Sequence, residues 1–232
     1  MFGSEGYTLL LPENWLTRDP VEYEKYASIV MRIGKAWNGN VFAGAAYTLY
    51  PGSRRPRSTG LAYIEGNVVN ACEKVFPSKA VGERGRLEPG RLLDPVNVGS
   101  ARIACIVCVD IFYPEVARAH ALRGATILYN PASIPTNRVN LWRSVLATRA
   151  VENTVYTIGV NSVGIVYPDG RLTGGGSTAY SPIGEAVQAK IHGPLRLLEL
   201  DPKLVDTARE RWAFYEDLAG GLAPRIFPGT SS

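Results

Sequence analysis

Ten short runs rich in Val, Ile, Tyr and Thr punctuate the sequence, and through its middle they alternate with helical patterns. The runs are 7–11, 41–50, 61–66, 67–75, 102–108, 126–130, 154–161, 177–181, 185–190 and 196–200, set off by Gly, Pro, Asn and Asp. Runs of this kind read as strands. Between them, residues 20–37 carry Tyr23, Tyr26, Ile29, Val30 and Ile33 at helical spacing. A second helix is expected over 114–123, with Pro114 in the first helical position and Gly124 just beyond its end. A third covers 138–152, and a fourth covers 202–216, opened by Asp201-Pro202. With hairpins expected at 41–75 and 176–200, this order predicts a layered α/β protein, a mixed sheet system covered by helices. No repeat or long linker divides the 232 residues, and a chain of that length buries a full core as one domain, 1–232, with 217–232 as a tail.

Charge narrows the function classes. The net charge is +4, but the basic residues are scattered, and the densest group is Arg54, Arg55 and Arg57 in a Pro/Ser turn without interleaved aromatics. That is a solvated loop, not a nucleic-acid footprint. The opening MFGSEGYTLLLPEN lacks the basic start and long apolar run of a secretory signal. No run approaches the roughly 18 apolar residues that span a bilayer. Cys72, Cys105 and Cys108 make no paired disulfide framework, which favours a reducing compartment. The expectation is a soluble cytoplasmic protein with no nucleic-acid or membrane partner.

The chemistry concentrates around ACIVCVDIFYPE, residues 104–115. A structural zinc site needs four ligands, and only Cys72, His120 and His192 could join this C-x-x-C pair. A strand running through 102–108 would point Cys105 and Cys108 to opposite faces, which disfavours a disulfide between them. Cys105 reads as a small core residue. Cys108 stands where the strand gives way to a helix, a turn that exposes a nucleophile and frees backbone N–H groups for an oxyanion. An inert core thiol is the alternative. Neither histidine is well placed as its base, since His120 falls inside a helix and His192 in a turn. A carboxylate base with a lysine to stabilise charge is the other route. Glu13 ends the apolar strand LLLPEN, Lys74 ends the strand NACEK, and Glu83 follows in a Gly/Pro-rich loop with Lys79 as a local competitor. Each of these, taken singly, also reads as a solvated surface charge. Glu152 reads as a structural hydrogen-bond partner.

Together the segments resemble the nitrilase superfamily of carbon–nitrogen hydrolases. The likeness rests on Pro12-Glu13, Lys74 with Gly82-Glu83, Cys108-Val109-Asp110 with Tyr113-Pro114-Glu115, Arg149-Ala150 with Glu152-Asn153 and Tyr156, and Asn161 with Gly164. It covers about residues 7–215, including GATILYNPAS at 124–133. The resemblance implies a four-layer αββα sandwich that assembles as homodimers or larger homo-oligomers. It implies a Glu13–Lys74–Cys108 triad, with Glu83 orienting the lysine and substrate. The Val109 N–H would join Lys74 at the oxyanion, and Tyr113 lies where the substrate would bind. No metal or organic cofactor is implied. Family members begin with a further strand and helix, whereas 11 residues precede Pro12 here, so an N-terminally shortened sandwich is expected. Val109 stands where Tyr or Trp is common.

The implied function is hydrolysis of a small linear amide or carbamoyl compound through a cysteine thioester, releasing ammonia or an amine. Nitrile hydrolysis is less favoured, because Val109-Asp110 stands where nitrilases tend to carry Trp-Glu. Acyl transfer to lipoprotein is less favoured because no membrane segment is seen. A different class, a nitrilase-fold assembly protein with little or no catalysis, is motivated by the short start. A redox protein using Cys105 and Cys108 is a third reading.

Overall fold

The computed structural model describes residues 6–219. The first sheet is built from β1 (Leu9–Leu10), β2 (Val21–Glu22), β3 (Val41–Phe42), β4 (Ala46–Leu49), β5 (Arg57–Ile64) and β6 (Asn67–Glu73), with α1 (Tyr23–Trp37) inserted after β2. β3 and β4 lie end to end along the long antiparallel β5, with registers Val41↔Tyr63 and Thr48↔Arg57. β1 and β2 follow one another in parallel along the other side of β3 and β4, joined by a bridge from Glu13 to Ala45. The expected strand 41–50 is thus interrupted at Ala43-Gly44-Ala45. Gly44 has φ +65°, and a Cβ there would overlap the Pro12 carbonyl oxygen. Only glycine allows the chain entering Glu13 to lie this close. α1 buries Tyr26, Val30 and Gly34 against this sheet and ends at Asn38 in the left-handed region.

The second sheet follows from β7 (Val96–Val98) and β8 (Ala101–Cys105). The chain then runs through α2 (Pro114–Leu122), β9 (Ile127–Ala132), α3 (Val139–Asn153) and β10 (Tyr156–Asn161). A hairpin of β11 (Val163–Val166) and β12 (Leu172–Gly174) precedes β13 (Thr178–Tyr180). The order in the sheet is β13-β10-β9-β8-β7, with β8, β9 and β10 mutually parallel and the two edge strands antiparallel. Parallel neighbours need crossovers, and α2 and α3 supply them. A second hairpin, β14 (Lys190–His192) with β15 (Leu195–Leu197), leads to α4 (Lys203–Arg211) and α5 (Phe214–Ala219).

The two sheets pack face to face. Phe42 meets Tyr129 edge-on at 5.8 Å, and one continuous core runs from Phe42, Ala62 and Ala71 to Ile106, Leu128 and Leu146. With α1 outside the first sheet and α2 and α3 outside the second, the architecture is the four-layer αββα sandwich. Within this frame four local expectations need correction. The run 102–108 is a strand only to Cys105, because Ile106 donates to Tyr129 O and the chain then curls into a 3₁₀ turn, Cys108–Phe112. The run 185–190 is mostly loop, since a turn at Ser181–Glu185 leaves only the Ala186 bridge before β14. The helix expected over 202–216 is divided at Trp212 and Ala213 into α4 and α5. The tail expected from 217 lies outside the described residues beyond Ala219.

The cysteines need the fourth correction. Cys72 on β6 and Cys105 on β8 form a disulfide across the two sheets, with Cα atoms 5.3 Å apart, and Cys108 is the free thiol. Strand alternation, as read from the sequence, bears only on a Cys105–Cys108 link. A separation of 33 residues conceals that β6 and β8 face one another in the sandwich interior.

Candidate active site

The first sheet delivers two charged side chains to its seam with the second. Leu11 and Asn14 donate from their backbones to Phe42 O and Ala45 O, so strand pairing carries the chain past Glu13. Asn14 then turns it away at φ +57°, a region that Asn tolerates. Tyr129 of the second sheet donates its hydroxyl to Leu11 O and ties this segment across the seam. Lys74 follows β6 directly and stays in register through its N–H to Ser58 O at 2.8 Å. Its Nζ donates to Glu13 Oε1 at 2.8 Å and to both Glu83 oxygens at 2.9 Å. Glu83 is fixed in turn by the Tyr47 hydroxyl at 2.9 Å and by Ser78 N–H at 2.6 Å. Glu13, Lys74 and Glu83 are each 2% exposed, so this ionic group is desolvated. Burying such a group is weak support for stability and is better understood as a chemical requirement.

The second sheet delivers the nucleophile by a different device. Cys108 opens the 3₁₀ turn in the left-handed region, at φ +47°. A non-glycine residue held there is strained, and strain of this kind gathers at functional sites. The turn is braced from below. Asn130 donates to Ile106 O and Cys108 O, and Trp142 Nε1 donates to Asn130 Oδ1 at 2.7 Å. Arg149 donates to Ile111 O at 2.9 Å and Phe112 O at 3.1 Å, and Glu152 pairs with Arg149 at 2.9 Å. Asp110 accepts Val75 N–H at 2.7 Å and Phe76 N–H at 3.0 Å.

The two deliveries converge. The Cys108 thiol lies against the Glu13 carboxyl, within reach of the Lys74 charge and of the Ser133 backbone. Burial raises the Glu13 carboxyl above its ordinary range, and the charge of Glu83 adds to this against the opposing pull of Lys74. Burial also drives the Cys108 thiol well above its usual value, helped by Glu13 and opposed by Lys74. Burial works against the Lys74 ammonium, but Glu13, Cys108 and Glu83 outweigh it and raise its pKa. The site thus holds a charged lysine, a protonated thiol at rest, and a carboxyl with raised proton affinity beside it. That suits a general base poised for the thiol proton.

The residues picked from the sequence divide accordingly. Glu13, Lys74, Glu83 and Cys108 come together. Val109 follows the nucleophile in the turn and is partly exposed. Tyr113 is not drawn to the charged group. It stacks on Phe76 at 4.2 Å and lines a groove of about 370 Å³ with Val75, Leu92, Glu115, Val116 and Ala119. Lys79 is exposed and does not compete with Lys74. His120 is a buried helix residue, 3% exposed. Sequence reading missed Tyr47, Asp110, Asn130 and Trp142, whose partners are distant in the chain, although Asp110 lies inside the Cys108 motif. Asn161 bonds Ile134 and Gly175, shaping the loop after β9. Among the described residues, no three His, Cys, Asp or Glu side chains are grouped to hold a metal ion, and no helix is long and apolar enough to cross a membrane.

A sandwich of this kind, with a buried Glu–Lys pair meeting a strained cysteine turn, defines the nitrilase-type α/β class. The sequence comparison agrees: a family model for carbon-nitrogen hydrolases matches residues 67–209. The chain belongs to the carbon-nitrogen hydrolase family, within the nitrilase superfamily. It is 33% identical over 126 residues to the "Hydrolase in agr operon" of Staphylococcus lugdunensis, covering 53% of each chain. It is 26% identical over 174 residues to the 2-oxoglutaramate amidase of Bacillus subtilis strain 168, covering 72% of this chain and 67% of that one. The chain therefore spans about half the length of the staphylococcal relative. Its fold is similar to Saccharomyces cerevisiae Nit3, with TM-score 0.73 and 19% identity over 97% of this chain and 82% of that one.

Proposed function

We propose that this chain is an amidase-type hydrolase of small linear amides or carbamoyl compounds, working through a Cys108 thioester. The observation that carries the reading is the meeting of Glu13, Lys74 and Cys108 in one buried site fed by both sheets. Glu13 takes the thiol proton as Cys108 Sγ bonds to the amide carbon, and the carbonyl π pair moves to oxygen. Lys74, with the Val109 N–H, stabilises that oxyanion. Collapse breaks the C–N bond, and Glu13 passes its proton to the leaving nitrogen. Glu13 then takes a proton from water as the water oxygen attacks the thioester, and the proton returns to sulfur as the C–S bond breaks. Every proton is handled by Glu13, which fits a carboxyl whose affinity is already raised. No metal or organic cofactor takes part in this scheme. The amidase name of the Bacillus relative supports the same class.

Assembly as a homodimer or larger homo-oligomer and a cytoplasmic location belong to the same proposal. Disulfides are rare in that compartment, so the proposal expects the Cys72–Cys105 pair to be reduced there. Intact-mass analysis without reductant on cytoplasmically produced protein tests the point.

The function is tested by ammonia release from a panel of small amides, N-carbamoyl amino acids and nitriles, beside Cys108→Ala. Wild-type protein is expected to release ammonia from at least one amide and to trap an acyl adduct on Cys108 by intact mass. Cys108→Ala should lose at least about 10⁴-fold in kcat. Equal rates in the two proteins sink the reading.

A further inference from the structure

We infer that Asp110 is a positioning residue that holds the lysine and the nucleophile in mutual register, acting as a clamp between the two sheets. The inference rests on the Glu13–Lys74–Cys108 reading given above. Asp110 sits two residues after Cys108 in the same 3₁₀ turn and is 1% exposed. Its Oδ2 accepts Val75 N–H at 2.7 Å and its Oδ1 accepts Phe76 N–H at 3.0 Å. Those N–H groups belong to the two residues directly after Lys74. One carboxylate on the nucleophile's turn therefore captures the backbone that continues from the lysine.

No strand pairing performs this task. β6 and β8 belong to different sheets, and the ladder that places Lys74 ends with its own N–H on Ser58 O. Beyond that point the chain leaves the sheet. Its next two N–H groups, partly shielded from water, have no other protein acceptor than Asp110, and shielded donors are paired as a rule. A carboxylate suits two adjacent N–H groups, because each oxygen takes one and charge strengthens both bonds. The charged neighbours do not offer a rival role. Glu13 and Lys74 act on Asp110 from the active-site side. Glu73, Arg91 and His120 border the same internal crevice from β6, the following loop and α2. None of them forms a hydrogen bond or ion pair to Asp110. Each of its two oxygens is engaged by a backbone N–H, which fits a positioning role.

The consequence is specific. Without the clamp, Lys74 Nζ and Cys108 Sγ keep their own sheets but lose their relative placement. Displacement of about 1 Å costs on the order of 100-fold in rate. Asp110→Asn keeps the shape but turns an amide N–H₂ against a backbone N–H. Asp110→Glu keeps the charge on a longer arm. For Asp110→Asn we expect kcat to fall about 100-fold, with KM little changed and Tm lowered by the unpaired N–H, and iodoacetamide to alkylate Cys108 more slowly. Asp110→Glu should recover part of both rates. Hydrogen exchange should find the Val75 and Phe76 amides protected in the wild type and released in Asp110→Asn. Wild-type alkylation and kcat in Asp110→Asn overturn the inference. If that variant does not fold, a folded Asp110→Glu with wild-type rates overturns it, and so does rapid exchange at Val75 and Phe76 in the wild type. The alkylation and exchange measurements use no amide, so they report on the clamp even if the hydrolase reading fails in its own test.

Discussion

The first sheet supplies charge to the site, and the second supplies backbone shape. Glu13, Lys74 and Glu83 reach the seam on long side chains from regular strand ends and a loop, and they hold one another by ion pairs. Cys108 reaches it on a short side chain, aimed by a strained φ that Asn130 and Arg149 hold from beneath. Charge tolerates a flexible arm because its partners orient it. A thiol does not, so the backbone itself has to be placed. The two halves should therefore fail differently when cut.

The sharpest separation is expected at Lys74. Lys74→Ala removes the cation that pairs with two buried carboxyl groups, which costs about 3–5 kcal/mol of stability beyond the loss of activity. Adding Glu83→Gln should restore part of the melting temperature and none of the activity. A Lys74→Ala protein with unchanged thermal stability breaks the contrast, because the first sheet would then carry no uncompensated charge.

Two buried groups on the connections of the second sheet, one in α2 and one in the 3₁₀ turn, sharpen it through pH. Burial, with a smaller contribution from Arg123, lowers His120 to about 4. The unfolded chain then binds the extra proton between about 4 and 6.5, and stability is lost as pH falls through that window, by about 3 kcal/mol. Asp110 works in the opposite sense. Burial raises it to about 7, against the pull of Val75, Phe76 and Lys74. The native state binds the extra proton between its ordinary range and 7, so stability falls as pH rises. In the wild type the two slopes oppose one another. Denaturant titrations from pH 4.5 to 7 should show stability falling with pH more steeply in His120→Gln than in Asp110→Asn, where the raised Glu13 carboxyl still works in the same sense as Asp110. The same slope in both variants would refute the assignment.

Asn130→Ala is the next step down. It frees Ile106 O, Cys108 O and Trp142 Nε1, all buried, at a cost of about 1–3 kcal/mol. The contrast predicts that kcat falls while Glu13 and Lys74 stay paired. Normal turnover would mean that the turn holds its shape without support.

What could be read in the sequence follows the same division. The strands, α1, α2 and α3 were legible because periodicity and terminal Gly or Pro are local signals. Glu13, Lys74, Glu83 and Cys108 were legible because each follows a strand or stands in a recognisable motif. The supports were not. Tyr47, Asn130 and Trp142 bond to partners 36, 22 and 12 residues away, and nothing local marks them. The Cys72–Cys105 contact depends on which strands face across the seam, a property of sheet packing that single-strand alternation does not contain. Tyr113 looked like a binding residue through its place in a motif, yet its ring is taken by Phe76.

The smallest effect is expected where charge sits on the outer part of the first sheet. Arg57 lies 3.3 Å from Glu88 and 3.9 Å from Glu73, with its side chain 35% exposed. Water screens the pair with Glu88, and the buried Glu73 keeps the Arg91 N–H, so Arg57→Ala should cost about 1 kcal/mol. Amide turnover should not change, because Glu73 retains the Arg91 N–H and Lys74 keeps its register on Ser58 O. Lys74 and Arg57 are both basic residues on the same sheet with two carboxylates each, so burial alone separates them. A loss at Arg57 comparable with that at Lys74 would show that the charge network of the sheet acts as a unit. The distinction between a charge-bearing and a shape-bearing half would then have to include the surface.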